Sequence, residues 1–322
     1  MDWTRRTTIK LALAASMLAG GHAFAQDEPK KIGFIYPAPV GDVGWAKELD
    51  RGREAVEAEF GDRIETVVAE NIPEGPDAQR VMNQMVAEGA DMVMLGSFGY
   101  MNDGLRLAQQ NPDVAFIHAS GFKLAPNFGN FQTRNYESAY IAGIAAGDLT
   151  ETGTLGVVAA YPIPEVIGII NAFTLGAQKT EPEVSVKVVW LNSWLDPSKA
   201  QDSARSLYAQ DADIIFSLYQ DTPSVVSIAE ETGFKVVNTS SDMKTYANDN
   251  YVMGLGIDWS PHFVAQVGAM LDGSFEGTAY WGGMKDGAVA VRSLTDDLSD
   301  EAKALIDEAM AGLSDGSFHP MT

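Results

Sequence analysis

Ile32-Gly33-Phe34-Ile35-Tyr36-Pro37 is a short apolar run closed by an aromatic ring and a proline, and Leu155-Gly156-Val157-Val158 with Tyr161-Pro162 answers it in the other half of the chain. Runs of this length and composition are buried strands, and Thr66 to Ala69, Met92 to Leu95 and Val114 to His118 read the same way. Each is close to continuously apolar, as parallel sheets covered on both faces require. Helical periodicity fills the gaps. From about Asp77 to Glu88, Ala78, Val81, Met82, Met85 and Val86 recur at helical spacing and make one apolar face, with Asp77 as the expected N-cap after Pro76. Strands alternating with helices predict an α/β fold with parallel sheets. Ala90-Asp91-Met92-Val93 and Ala212-Asp213-Ile214-Ile215 match at nearly the same offset as the first pair of runs, and each follows a helix opening near a proline, Pro76 or Pro197. Ordered matches at near-constant offset predict an internal duplication, hence two similar lobes.

In open parallel sheets ligands sit beyond the carboxyl ends of the strands, so the residues that follow each strand are the candidates for a site between the lobes. They are rich in rings and polar groups: Trp45, Phe98, Tyr100, Tyr161, Trp194 and Trp259 supply indoles, phenols and a phenyl, and Asn71, Gln220, Asp221 and Asp242 supply amides and carboxylates. Trp45 and Trp194 occupy related places in the two halves and are expected to face each other across the cleft. Aromatic side chains clamp flat ligands, each stacked base contributing roughly 1–3 kcal/mol. A heteroaromatic ligand suits this set, with the amides and carboxylates matching the N–H donors and N or O acceptors of a purine edge. The same residues also have ordinary structural uses, since a tryptophan at a strand end fills space between lobe and loop, and Asp42, Asp196 or Asp221 can cap the next helix.

Composition narrows the chemistry. With 44 Asp and Glu against 22 Lys and Arg in 322 residues, the net charge of −22 repels nucleic acid and acidic membrane surfaces, and no basic run offsets it. The absence of cysteine excludes disulfides, thiol catalysis, zinc–thiolate sites and a lipid-carrying N-terminal Cys. Arg5, Arg6 and Lys10 precede the apolar stretch from Leu11 to Ala19 and a small-residue cleavage pattern at Ala23-Phe24-Ala25. Residues 1–25 therefore read as an export signal of the general secretory or twin-arginine type, too short to span a bilayer. The expected division is 26–150 for lobe 1, with about 258–280 returning to it, and 151–257 for lobe 2, with part of about 281–322.

The strand-end motifs resemble the basic membrane protein family of ABC-transporter substrate-binding proteins, the purine-nucleoside-receptor-like group. The resemblance runs over the Asp42-to-Trp45 loop, Gly89-Ala90-Asp91, Ser97-Phe98-Gly99-Tyr100, Tyr136-Glu137 with Tyr140-Ile141-Ala142-Gly143, Asn192-Ser193-Trp194 with Asp196-Pro197, Ser241-Asp242, and Gly283-Met284-Lys285-Asp286-Gly287. It implies a type I periplasmic-binding-protein fold, two Rossmann-like lobes flanking a ligand cleft, a monomer in the periplasm that delivers a small-molecule purine to a membrane permease. It also implies that Trp45 and Trp194 enclose the purine and that Lys285 either donates to the ligand or holds a carboxylate. Where the family carries two aspartates, one of them a ribose-hydroxyl ligand in nucleoside binders, this chain has Ser240-Ser241-Asp242, and Asn102 stands where Asp is common. Fewer carboxylates tilt the expectation from nucleoside to free base.

Other functions draw less support from the residues. A nucleoside hydrolase built on His118 and Ser120 lacks a Gly-x-Ser-x-Gly elbow, His262 and His319 stand apart from any metal-ligand spacing, and no Gly-x-Gly-x-x-Gly loop calls for a nucleotide cofactor. A sugar binder of the same fold, or a ligand sensor presenting the closed lobes to a receptor, uses the same architecture.

Overall fold

A computed structural model of the protein describes residues 28–220 and 222–321; the expected export segment and Asp221 lie outside the described residues. Lobe 1 opens with β1 (Lys30–Ile35), α1 (Trp45–Phe60), β2 (Ile64–Ala69), α2 (Pro76–Ala87), β3 (Met92–Leu95), α3 (Met101–Gln110), β4 (Ala115–Ala119) and β5 (Phe128–Thr133). The chain then builds α4 (Asn135–Leu149), β6 (Thr154–Ala159), α5 (Pro164–Ala177), β7 (Ser185–Trp190), α6 (Pro197–Tyr208), β8 (Ile214–Leu218), the short α7 (Ala229–Thr232), β9 (Lys235–Ser240) and β10 (Tyr251–Ile257). It ends with α8 (Ser260–Asp272), β11 (Ala279–Gly282), β12 (Val289–Leu294) and α9 (Asp300–Asp315).

Two six-stranded sheets result, ordered β2-β1-β3-β4-β5-β11 and β7-β6-β8-β9-β10-β12. The orders correspond strand for strand, as the internal matches predict. The last strands differ, since β11 runs parallel to β5 whereas β12 runs antiparallel to β10. Each sheet is covered on both faces. In lobe 1, Ile32 and Phe34 pack with Leu49 and Val56 of α1 and Phe263 and Val267 of α8, while Ile35 on the opposite face meets Met82 of α2 and Leu107 of α3. Alternation along β1 thus feeds two cores. In lobe 2, α4, α5 and α9 cover one face and α6 and α7 the other. The helix after Pro76 begins at Pro76 itself, so Gly75 rather than Asp77 holds the N-cap position and Asp77 lies in the first turn, where its charge favours the helix dipole. β2 is a sheet edge, with Glu65, Val68 and other side chains outside the core, and departs from the expectation of burial on both faces.

The lobes exchange helices. α4 follows β5 of lobe 1 but packs on α5 and α9, and α8 follows β10 of lobe 2 but packs on α1. The first crossing therefore falls at Arg134, and α4, expected within lobe 1, belongs to lobe 2. Its apolar residues face all round, and buried positions run from Asn135 to Gly147. Gly143 and Gly176 allow the approach, because a Cβ on either would fall onto a carbonyl of the partner helix, that of Phe173 or Tyr140. The other crossings lie between β10 and α8 and between β11 and β12. Arg134 at the first crossing reaches Asp286 at the third, at 2.9 Å, and Met284 N donates to Glu137 at 2.7 Å, so two of the three connecting strands are tied together.

Candidate functional site

The strand order in each sheet reverses beside its first strand, placing the crevices at the ends of β1 and β3 in lobe 1 and of β6 and β8 in lobe 2. A cavity lies between them, with about 390 Å³ of space not filled by protein atoms, open solvent included. Lobe 1 contributes Pro37, Trp45, Gly96, Ser97, Phe98 and Ser120; lobe 2 contributes Ile163, Glu165, Trp194 and Tyr219. Each lobe therefore supplies one tryptophan.

Local structure fixes both indoles. Trp45 is the first residue of α1, and its Nε1 donates to Gly96 O at 2.8 Å across the β1–β3 crevice. Tyr219 and Trp259 meet its ring edge-on, with centroids at 5.3 and 5.7 Å. Trp194 precedes α6, whose N-cap Asp196 accepts from Lys199 N. Its Nε1 donates to Glu74 Oε1 at 3.0 Å, and its ring packs against Tyr161 at 4.9 Å. With both N–H groups committed to protein acceptors, the indoles offer a ligand their rings rather than their donors.

Glu74 also holds the lobes together. It stands between β2 and α2 and accepts from Ser97 Oγ at 2.6 Å and Gly99 N at 2.9 Å, besides Trp194 of the opposite lobe. A second bridge joins Ser241, after β9, to the start of α1: Gly44 N donates to its Oγ at 2.9 Å, and that hydroxyl donates to Glu48 Oε1 at 2.5 Å. Burial pushes the Glu48 carboxyl up, against the lowering effects of Ser241, Arg51 and Arg292. The lobes are thus closed on each other.

Deeper in the cleft, Asn135 Nδ2 donates to the Tyr219 phenol at 2.6 Å, and that phenol donates to Glu165 Oε1 at 2.6 Å. Burial raises the Glu165 carboxyl above the ordinary range, opposed by the hydroxyls of Ser120 and Tyr219, and burial together with the Glu165 charge raises the Tyr219 phenol well above its own. Tyr219 holds this position with φ +55, a left-handed backbone uncommon for an aromatic residue. No described group of His, Asp or Glu side chains has the clustering to hold a metal ion.

The structure brings Trp45, Phe98 and Trp194 to the cavity wall and Tyr161 behind Trp194. It places the other candidates elsewhere. Trp259 is fully buried in lobe 1 against Phe131 and the back of Trp45, and Tyr100 is fully buried with its hydroxyl on Ile72 O. Gln220 is buried and turns back toward Leu218 O at 3.4 Å, while Asn71 is an exposed left-handed turn residue. Asp242 is exposed and engages Lys244 N at 2.9 Å and the Ser293 hydroxyl. Lys285, at the third crossing, donates to Asp315 O at the end of α9 at 3.2 Å, so it braces a connecting segment rather than the cleft. His118 is buried with Nε2 on Ser97 O at 2.8 Å, and its other ring nitrogen makes no hydrogen bond to Ser120 among the described residues. Glu74, Ser97, Glu165 and Tyr219 are not among the ligand-binding candidates read from the sequence, and Ser120 is weighed there only with His118 as a hydrolase pair. Glu165 was the most accessible of these, since it follows Pro164 in the loop after β6, the counterpart of the Trp45 loop after β1.

Comparison with known proteins agrees with this architecture. Over 312 residues the chain is 36% identical to a purine-binding protein of Brucella abortus, covering 97% of this chain and 88% of that one. It is 34% identical over 279 residues to a Haloferax volcanii protein provisionally named an ABC transporter glucose-binding protein, covering 87% and 71%. A solved ABC transporter solute-binding protein from Aeropyrum pernix shares the fold at a TM-score of 0.79 and 15% identity, over 90% of this chain and 93% of that one. The family model for PnrA-like ABC transporter substrate-binding proteins matches residues 29–311, and the chain belongs to that family, Bmp.

Proposed function

We propose that this substrate-binding protein carries a purine, as free base in preference to nucleoside, and delivers it in the periplasm to the permease of an ABC importer, acting as a monomer exported by the general secretory or twin-arginine route. The observation that carries the reading is the cavity bounded by one indole from each lobe, Trp45 and Trp194, with Phe98 beside them. A flat ring that touches both lobes stabilises their closed arrangement by its differential affinity alone. Glu165 is the charged side chain among the lining residues and it is acidic, which disfavours phosphorylated ligands. The single carboxylate among the described lining residues favours a base over a nucleoside, whose ribose hydroxyls call for additional acceptors. The purine-binding relative from Brucella abortus supports the same class.

The Haloferax volcanii relative favours a second reading, a sugar stacked on the same tryptophans. The two separate by fluorescence. Adenine stacking on Trp45 and Trp194 quenches indole emission saturably in ligand-stripped protein, and the W45F/W194F double variant loses most of that quench. An emission spectrum unchanged by adenine, guanine and hypoxanthine alike contradicts the purine reading.

A further inference from the structure

Among the described residues, Glu165 has one carboxylate oxygen engaged and one without a donor. Its position is fixed by the start of α5, where Pro164 takes the first helical place and Glu165 the second, directly after the loop that leaves β6. Oε1 accepts the Tyr219 hydroxyl proton, and Tyr219 in turn accepts from Asn135 Nδ2, so the phenol has no second proton to give. Oε2 is buried and has no partner in hydrogen-bond geometry among the described residues, the Ser120 hydroxyl lying near enough to act on the carboxyl's charge, and the residue lines the cavity. A buried carboxylate oxygen without a donor is unfavourable, and a site that leaves one unpaired discriminates strongly between ligands that can and cannot satisfy it.

We propose that Glu165 Oε2 is the specificity-determining acceptor of this site: it takes an N–H from the edge of the heteroaromatic ring, so the protein selects ring ligands bearing an edge N–H over those of the same shape that present acceptors only. The proposal rests on the purine reading of the cavity. Asn135 and Tyr219 act as positioning residues, holding Oε1 so that Oε2 is the free atom. Because Asn135 is the first residue of α4, immediately after the first crossing, the ligand's donor is linked through two hydrogen bonds to a segment connecting the lobes.

A protonation consequence follows. Burial holds the Glu165 carboxyl above its ordinary range, and the groups that act on it are the Ser120 hydroxyl from the end of β4 and the Tyr219 phenol from the end of β8, with no cation among those groups. An N–H donor favours the ionised carboxylate, so ligand binding expels a proton from whatever fraction is protonated, and affinity falls as pH falls through the carboxyl's raised range.

The test compares wild-type protein with Glu165→Gln, which retains an acceptor for Tyr219 and turns the free oxygen into an amide donor, and with Glu165→Ala. Each is titrated with adenine and with 9-methylpurine, a ring of similar shape with no N–H. The proposal predicts that wild type prefers adenine by at least tenfold, that both variants bring the preference within threefold while keeping their affinity for 9-methylpurine, and that the dependence of binding enthalpy on buffer ionisation, present in wild type, is lost in E165Q. An equal loss of both ligands, or an unchanged preference for adenine, overturns it. Wild-type protein that binds glucose and neither purine defeats the reading of the cavity instead. Glucose then serves as the donor-bearing probe: a tenfold loss in E165Q upholds Glu165 as the acceptor, and equal affinity overturns it.

Discussion

Trp45 and Trp194 show how a single residue type serves packing and recognition at once. Each indole spends its N–H on the protein, on Gly96 O and on Glu74, and each leans on further rings, so its orientation is set before a ligand arrives. Such preorganisation makes truncation costly: Trp45→Ala or Trp194→Ala should weaken binding of a purine at least tenfold, about 1.4 kcal/mol, in a direct titration, whereas Trp→Phe at either position should cost less. Wild-type affinity in both alanine variants would show the tryptophans to be packing residues only. The buried histidines make a different prediction. Burial lowers both His118 and His262 to about 4. They are neutral in the folded protein and charge more readily when it unfolds, so their contribution to stability is present above about 6.5 and is lost as pH falls toward 4. Imidazole resonances followed by NMR should titrate near 4 for these two residues; midpoints near 6.5 would mean that the rings are solvated. At this scale the sequence was readable wherever position after a strand determined exposure, as at Trp45, Phe98 and Trp194. It misled at Trp259 and Tyr100, which also follow strands but point into lobe 1, because burial of a ring depends on which distant helix covers it.

Among the elements, the pair α4 and α5 determines how lobe 2 is built. Gly143 lies against the Phe173 carbonyl, so Gly143→Ala should force the helices apart and destabilise the protein by about 1–3 kcal/mol, read as a lower melting temperature. Gly168, on the same α5, has open space where a Cβ would go, and Gly168→Ala should be neutral or stabilising by up to ~1 kcal/mol. Equal effects of the two substitutions would contradict the close-packed interface. The segment between β2 and α2 has its own test, because Glu74 ties Ser97 and Gly99 of lobe 1 to Trp194 of lobe 2. Glu74→Ala should reduce ligand affinity and enlarge the radius of gyration of the ligand-free protein in solution scattering, and an unchanged affinity would assign Glu74 a purely local role. The periodicity of α2 revealed that helix to within a residue, since one apolar face admits one packing. α4 was less legible for the opposite reason: a helix apolar all round fits either lobe, and its sequence position after β5 pointed to the wrong one.

For the whole molecule, duplication and exchange are the governing facts. Two sheets with corresponding strand order trade the helices that follow their fifth strands, so the lobes are separate in their cores yet connected by three crossings. The two-lobe duplication was legible because its motifs repeat; the order of strands within each sheet, with β11 added parallel to one and β12 antiparallel to the other, was not, since neither follows from local pattern. The site follows from this architecture, with a cavity at the two switch points, one indole from each side and one carboxyl group, Glu165, among the described lining residues of a protein of net charge −22. Those features together favour an uncharged flat ligand. The central claim is that this ligand is a purine, and the most direct measurement is calorimetric titration of ligand-stripped protein with adenine, guanine, hypoxanthine, their nucleosides and glucose. Saturable one-to-one binding of at least one free base, tighter than its nucleoside, is the expected result. Heat with glucose and none with any purine would contradict the account.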